Sequence, residues 1–352
     1  MAIAKRYRVL CALPLLVLLV ACGSDDPAQP NQVAAQWQSL GQGMNDIVRS
    51  LVVFDGALIA GGRFTASGAV NLEHIARWDG TSWNPVGDGL GFDVYALATY
   101  NDMLIAAGYD GEGGGGEISA WDGISWSAIG PGYSVDIRVL AVHEGRLVVG
   151  GYLSGGAGGV ARWDGTNWTG LGSGPGQGAY ALASFGGTLV AGGPTVEPDH
   201  LARWDGSSWT GVGGGADDGV EALTVMGADL IAGGYFDHIG SVDASGVAAW
   251  NGSNWRPLGG GLIGNFGGLL AHGSRLFACG DLSLPSDQEA WTNVFEWDGS
   301  SWKARAIYSE AALATEDISG RALAIYEGAL IVGGDFTHMG STSANRIAKM
   351  DL

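Results

Sequence analysis

The sequence predicts an all-β protein: a seven-bladed β-propeller of four-stranded antiparallel blades, the last blade closed by an N-terminal strand. Three observations carry this. Glycine supplies 63 of the 352 residues, which disfavours long helices. Apolar residues still make up 46% of the chain, enough to bury a large core. Two motifs also recur together at a spacing of roughly 40 residues, which suits four short strands and their turns.

The first motif, Trp-Asp/Asn-Gly-x-x-Trp, occurs six times. Its first tryptophans are Trp78, Trp121, Trp163, Trp204, Trp250 and Trp297; its second are Trp83, Trp126, Trp168, Trp209, Trp255 and Trp302. The second motif is an apolar strand ending in small residues. It occurs seven times, starting at Leu58, Leu104, Leu147, Leu189, Leu230, Leu276 and Leu330, and usually reads like Leu58-Ile59-Ala60-Gly61-Gly62.

One unit reads in full. Strand A is expected over 48–54 and strand B over 57–62, joined by Asp55-Gly56, two residues that tolerate the positive φ of a tight hairpin. A longer loop leads to strand C at 74–79, and Gly80-Thr81 turns into strand D at 82–86. Alternating apolar positions pack each blade against both neighbours, and the paired glycines let backbones approach closely.

Seven B strands stand against six complete tryptophan units, and the two ends of the repeat region supply the seventh. Ile347-Ala348-Lys349-Met350-Asp351 is a C strand with Met350 in the tryptophan position. Trp37-Gln38-Ser39-Leu40-Gly41 is a D strand with no C strand before it. From a D-strand tryptophan to the next B-strand leucine is 21 residues for Trp83, Trp126, Trp168, Trp209 and Trp255, and also from Trp37 to Leu58. Residues near 36–41 should therefore complete the last blade and remove two exposed sheet edges.

These residues resemble the kelch repeat of galactose-oxidase-type propellers, over 36–352. The resemblance implies the fold and says little about function. The kelch tyrosine is tryptophan here, and the turn between strands C and D is shorter. The copper site of galactose oxidase needs a cysteine-linked tyrosine, and outside the N-terminal segment the chain offers only Cys279, in a B strand. The turn residues Asp79, Asp122, Asp164, Asp205 and Asp298 are expected to bond their own backbone, as Asn251 would in their place.

Residues 1–21 read as an export signal: Lys5, Arg6 and Arg8, then an apolar run over 9–20 that is short for a membrane span. Leu19-Val20-Ala21-Cys22 resembles the lipobox of bacterial lipoproteins, which implies cleavage before Cys22, lipidation of that thiol and anchoring to the outer membrane or cell surface. Residues 22–35 then form a polar tether. Cys279 is expected to act as a small buried hydrophobe. The formal charge of −19 becomes more negative when the signal is removed. It disfavours nucleic-acid partners and suits a dispersed monomer.

The repeat is irregular in places where a site can sit. From B-strand leucine to C-strand tryptophan (or Met350) the distance is 20, 17, 16, 15, 20, 21 and 20 residues for blades 1 to 7. Blades 5, 6, 7 and 1 thus carry the long loops. The D–A connection is 28 residues from Trp302 to Leu330 instead of 21. These irregularities fall on one sector of one face, where binding loops concentrate. Thirteen of the 14 tryptophans hold repeat positions. Trp291 does not, and is assigned to the blade 6 loop with Asp287, Gln288, Glu289 and Asn293. It suits either a stacking platform or a plug for a packing gap. The insertion adds Tyr308, Glu310, Glu316 and Asp317, a carboxylate group that leaves Ca²⁺ open but lacks a known calcium-loop spacing.

A second candidate is the residue two before each strand A leucine: Arg49, Tyr95, Arg138, Tyr180, Glu221, Gly267 and Arg321. Such positions would ring the channel mouth and either grip an acidic or sugar ligand or tie blades together. His238 and His338 share one repeat position and His74 and His200 another, so they are spread around the ring, and no metal or cofactor motif is seen. The expected function is non-enzymatic binding of a protein or glycan through the loops of blades 5, 6, 7 and 1. The alternatives are a carbohydrate-active hydrolase or lyase using acids of the same sector, and a structural envelope component.

Overall fold

The computed structural model describes residues 36–111, 115–130, 136–153, 157–306 and 318–352, apart from the side chains of Glu289, Ala290 and Ile318. The proposed lipidation site Cys22, and Tyr308, Glu310, Glu316 and Asp317, lie outside the described residues.

Seven four-stranded antiparallel sheets form the seven blades. Blade 1 runs Val48–Phe54, Ala57–Gly62, Ile75–Trp78 and Trp83–Pro85. Each innermost strand touches the next, and that of blade 7, Ile318–Tyr326, touches that of blade 1. The ring is closed as the spacing requires. Trp37–Ser39 pairs with Ile347–Asp351, setting Trp37 opposite Met350, Gln38 opposite Lys349 and Ser39 opposite Ala348.

The tryptophans build a second ring outside the first. In each complete repeat the two tryptophans face each other across the C–D pair, with centroids 5.2 Å apart in blade 1 and 5.6 Å in blade 4. The D-strand indole also reaches the preceding blade. Trp83 Nε1–H donates to the Leu40 carbonyl, Trp126 to Val86, Trp168 to Ile129 and Trp209 to Leu171. Trp255 and Trp302 donate to Val212 and Leu258. Trp37 completes the circuit, donating to the Arg305 carbonyl at 2.7 Å. Every acceptor lies three residues past the neighbouring D-strand tryptophan, so one register serves all seven junctions.

Position 305 is held from a second side. Glu296, 3% exposed, takes two hydrogen bonds from Arg275, at 2.6 and 3.0 Å, and pairs with Arg305. Burial works against ionisation there, but these guanidinium bonds hold the Glu296 carboxyl below its ordinary range.

The paired glycines have separate duties. A Cβ on the first would meet the next blade's inner strand, as at Gly61 against Val94 and Gly233 against Phe266. A Cβ on the second, from Gly62 to Gly334, would overlap a backbone carbonyl at the entry to its own blade's strand A, Ile47 in the first case and Ser319 in the last. The turn acids do what the sequence expects. Asp79 Oδ1 accepts from the backbone N–H of Thr81 and Ser82, both at 2.8 Å, and Asn251 repeats the pattern with Ser253 and Asn254. These bonds lower the Asp79 carboxyl pKa well below the usual range. Cys279 is fully buried, and burial pushes its thiol up to about 12.

Two expectations need correction. In blades 1, 5 and 7 the long B–C connection is not an open loop over the channel. It forms a small hairpin whose second strand packs on the outermost strand: Val70–Asn71 on Trp83–Pro85, Val242–Asp243 on Trp255–Pro257, and Thr342–Ser343 on Trp37–Ser39. Phe64, Phe236 and Phe336, two residues ahead of these hairpins, are fully buried beside the tryptophans or, in blade 7, beside Trp37 and Met350. The extra residues thus shield outer-strand aromatics. Blades 2 to 4 lack them, and there the tryptophans stay half-buried. In blade 6 the same segment extends the sheet, with Arg275–Leu284 paired to Asp287–Trp297, so Trp291 stands in a strand rather than a loop.

Candidate functional site

The inner strands determine where a ligand can sit. In six blades the strand A pairing slips by one residue at the position two before the leucine. The slip falls between Val48 and Ser50, Val94 and Ala96, Ile137 and Val139, Val220 and Ala222, Phe266 and Gly268, and Gly320 and Ala322. The skipped residues are Arg49, Tyr95, Arg138, Glu221, Gly267 and Arg321. A bulge of this kind unpairs one residue and redirects its side chain. In blade 4 the equivalent Tyr180 stands just ahead of the strand Ala181–Phe185, its N–H bonded to the Gly192 carbonyl at 2.9 Å.

All seven positions line one cavity of about 470 Å³. That volume lies within the range of small-ligand pockets. Pro194, Tyr235, Asn265 and Phe266 complete its wall. The second ring candidate of the sequence is therefore assembled as a single site. Inter-blade stacking, its competing role, is present as well. The Arg49 guanidinium lies 4.4 Å from the Tyr95 ring centroid, and Arg138 lies 5.0 Å from Tyr95 and 5.5 Å from Tyr180. Tyr180 Oη meets Tyr152 Oη at 3.1 Å.

The electrostatics are unbalanced. Among the described residues three arginines and one carboxylate, Glu221, face the cavity, on a chain whose net charge is −19. The Nε atoms of Arg49, Arg138 and Arg321 are buried with no hydrogen-bond partner. Arg138 is paired with Asp136 through Nη2; Arg49 and Arg321 have no carboxylate partner among the described residues. Burial draws the Arg49 pKa down, and although Tyr95 opposes this, Arg321, Arg138 and Arg63 add to it. Burial raises the Glu221 pKa against the pull of Arg138. It also pushes the Tyr180 hydroxyl up to about 12, aided by Tyr152. The three arginines are half-buried rather than enclosed, and their crowding beside one carboxylate makes this wall of the cavity electropositive.

Of the other candidate group, the described members Trp291, Asp287 and Gln288 do not line the cavity. Trp291 is half-buried, and its ring lies against Gly264 at the outer end of the blade 6 inner strand, next to Asn265. Asp287 and Gln288 are exposed at the hairpin tip. Among the described residues no group of three His, Cys, Asp or Glu is placed to hold a metal ion.

Sequence reasoning missed Tyr235, Pro194 and Tyr152. The signal was available: each follows the second glycine position of its B strand, after Gly234, Gly193 and Gly151. That repeat position is as regular as the leucine register. The bulge left no mark that pattern reading would catch.

No family model matches the chain, and no curated protein matches it in sequence. Solved structures do match, at the level of the fold. The extracellular domain of a protein described as a hybrid two-component system from B. thetaiotaomicron aligns with a TM-score of 0.62 at 11% identity, over 90% of this chain and 40% of that one. A GH74 enzyme from Niastella koreensis aligns with a TM-score of 0.58 at 14% identity, over 88% and 55%. The WD40 propeller domain of Doa1 aligns with a TM-score of 0.53 at 13% identity, over 90% and 96%. The chain thus spans less than two thirds of the first two. What the matches define is a class, the β-propellers, and the seven four-stranded blades place this chain among the seven-bladed ones.

Proposed function

We propose that this protein is a non-enzymatic binding propeller that takes an acidic ligand at the mouth of its central channel. The observation that carries the reading is the set of three channel arginines with unpartnered buried Nε atoms around one cavity. A ligand anion would supply the charge that no described carboxylate gives Arg49 and Arg321, and charge-assisted bonds to guanidinium are the strong ones. The sequence supports a setting for this activity. The lipobox-like Cys22 with its tether fits an exported, envelope-anchored monomer. The kelch-like repeat fits a display scaffold whose ligand is a surface protein or glycan. Extracellular domains of B. thetaiotaomicron proteins are among the structures whose fold this chain shares.

The carbohydrate-hydrolase alternative needs two carboxylates roughly 5–10 Å apart, and among the described residues the cavity wall supplies one, Glu221. The test compares wild type with an Arg49→Gln/Arg138→Gln/Arg321→Gln variant on glycan arrays and in pull-downs from envelope fractions. Binding is expected to vanish in the variant while its melting curve stays cooperative. Unchanged binding places the ligand elsewhere, with the Trp291 hairpin as the next surface to mutate.

A further inference from the structure

Resting on that reading of the channel mouth, we infer that the ligand is a carboxylate-bearing sugar, a uronic-acid-type residue at the end of or pendant from a glycan. The argument is the mixture of groups on one wall. A simple anion site would present donors alone. Here the Nε atoms of Arg49 and Arg321 have no hydrogen-bond partner among the described residues, while the same cavity presents Glu221, an acceptor, and the amide of Asn265. Glu221 would repel a sulfate, which brings no hydrogen to satisfy it, or a phosphate, which brings only one or two. A sugar hydroxyl donates to a carboxylate, so a ligand with one carboxylate and several hydroxyls satisfies both halves of the wall. The planar guanidinium fork matches a carboxylate bidentately. Tyr95 and Tyr180, whose rings stack with arginines, add phenol edges to the same wall, and the exposed Tyr235 adds an aromatic face, the combination of flat apolar surface and polar edge that suits a sugar ring. An acidic peptide shares the charge but not the close-set hydroxyls.

The experiment is titration calorimetry on the full chain with four probes: a galacturonic-acid trimer, the matching neutral galactose trimer, inorganic phosphate and a hexaglutamate peptide. The uronate trimer is expected to bind at least about tenfold more tightly than each of the others, one factor of ten being the smallest clear preference. Arg321→Gln is expected to weaken uronate about tenfold or more with an unchanged melting temperature. Glu221→Gln is expected to weaken uronate while narrowing the gap to phosphate. Equal affinity for the neutral trimer overturns the role of the carboxylate. Tighter binding of phosphate or hexaglutamate that is lost in Arg321→Gln overturns the sugar assignment and leaves the channel-mouth site standing. Uronate binding that survives Arg321→Gln and the triple arginine variant overturns both.

Discussion

Replacing Trp37 by alanine is expected to open the ring at its seam. Trp37 is 6% exposed and packs in the cluster that holds Phe277, Leu330 and Met350. Its Nε1–H donates to the Arg305 carbonyl at 2.7 Å. Truncating a buried tryptophan costs about 3–5 kcal/mol. An acceptor that loses its partner in a buried setting adds about 1–3 kcal/mol. The total of about 4–8 kcal/mol is a large share of the 5–15 kcal/mol that holds an ordinary domain together. At about 2 °C per kcal/mol for a chain of this size, the melting temperature should fall by about 8–16 °C. Trp37→Phe retains an aromatic ring and loses only the donor, so it should cost about 1–2 kcal/mol.

Calorimetry measures the drop, and hydrogen–deuterium exchange locates it. Amides of Ile347–Asp351, which pair with Trp37–Ser39, should lose protection in Trp37→Ala. Trp168→Ala removes the same type of inter-blade bond at Ile129 from a blade made of continuous chain, and should leave 347–351 protected. If Trp37→Ala melts within about 2 °C of wild type and exchange at 347–351 is unchanged, the strand at 37–39 does not close the ring.

Three further outcomes are expected. Gly62→Ala should cost about 3 kcal/mol or prevent folding, because its Cβ overlaps the Ile47 carbonyl, whereas Gly56→Ala, at φ 68° in open space, should cost about 1 kcal/mol, both read by chemical denaturation. Glu221→Gln should raise the melting temperature at pH 7.5 and leave it unchanged at pH 4. The folded carboxyl has a raised pKa, so its contribution is intact below the unfolded value and lost as pH rises through the folded one; equal shifts at both pH values would refute the buried-carboxylate account. Glu296 has the opposite sign. Its depressed pKa gives stability that is present above the unfolded value and lost as pH falls through the folded one, so Glu296→Gln should be destabilised at neutral pH and converge on wild type in acid melts.

The blade count, the seam and the turns were legible because they are local. Trp-Asp-Gly-x-x-Trp specifies a hairpin within six residues, and a 21-residue offset places Trp37 in register without any knowledge of the ring. The long B–C segments were seen but misassigned. Their length said that something extra is built there. Only packing shows that Val70–Asn71, Val242–Asp243 and Thr342–Ser343 cover outer strands. Trp291 stood out because it broke the repeat, yet being out of register says nothing about where a side chain rests, and it rests against Gly264.

The site marks the division most clearly. By itself the sequence determined a periodic strand pattern, hence seven equivalent positions, and named the residue at each: Arg49, Tyr95, Arg138, Tyr180, Glu221, Gly267 and Arg321. Whether equivalent positions meet or merely repeat around a circumference is not a property of any one repeat. The tertiary structure decided it, through a one-residue slip at the head of the inner strands that turns those side chains toward the axis and crowds three guanidiniums into one cavity. Periodicity is local, whereas convergence depends on the closure of the ring and the shape of its channel.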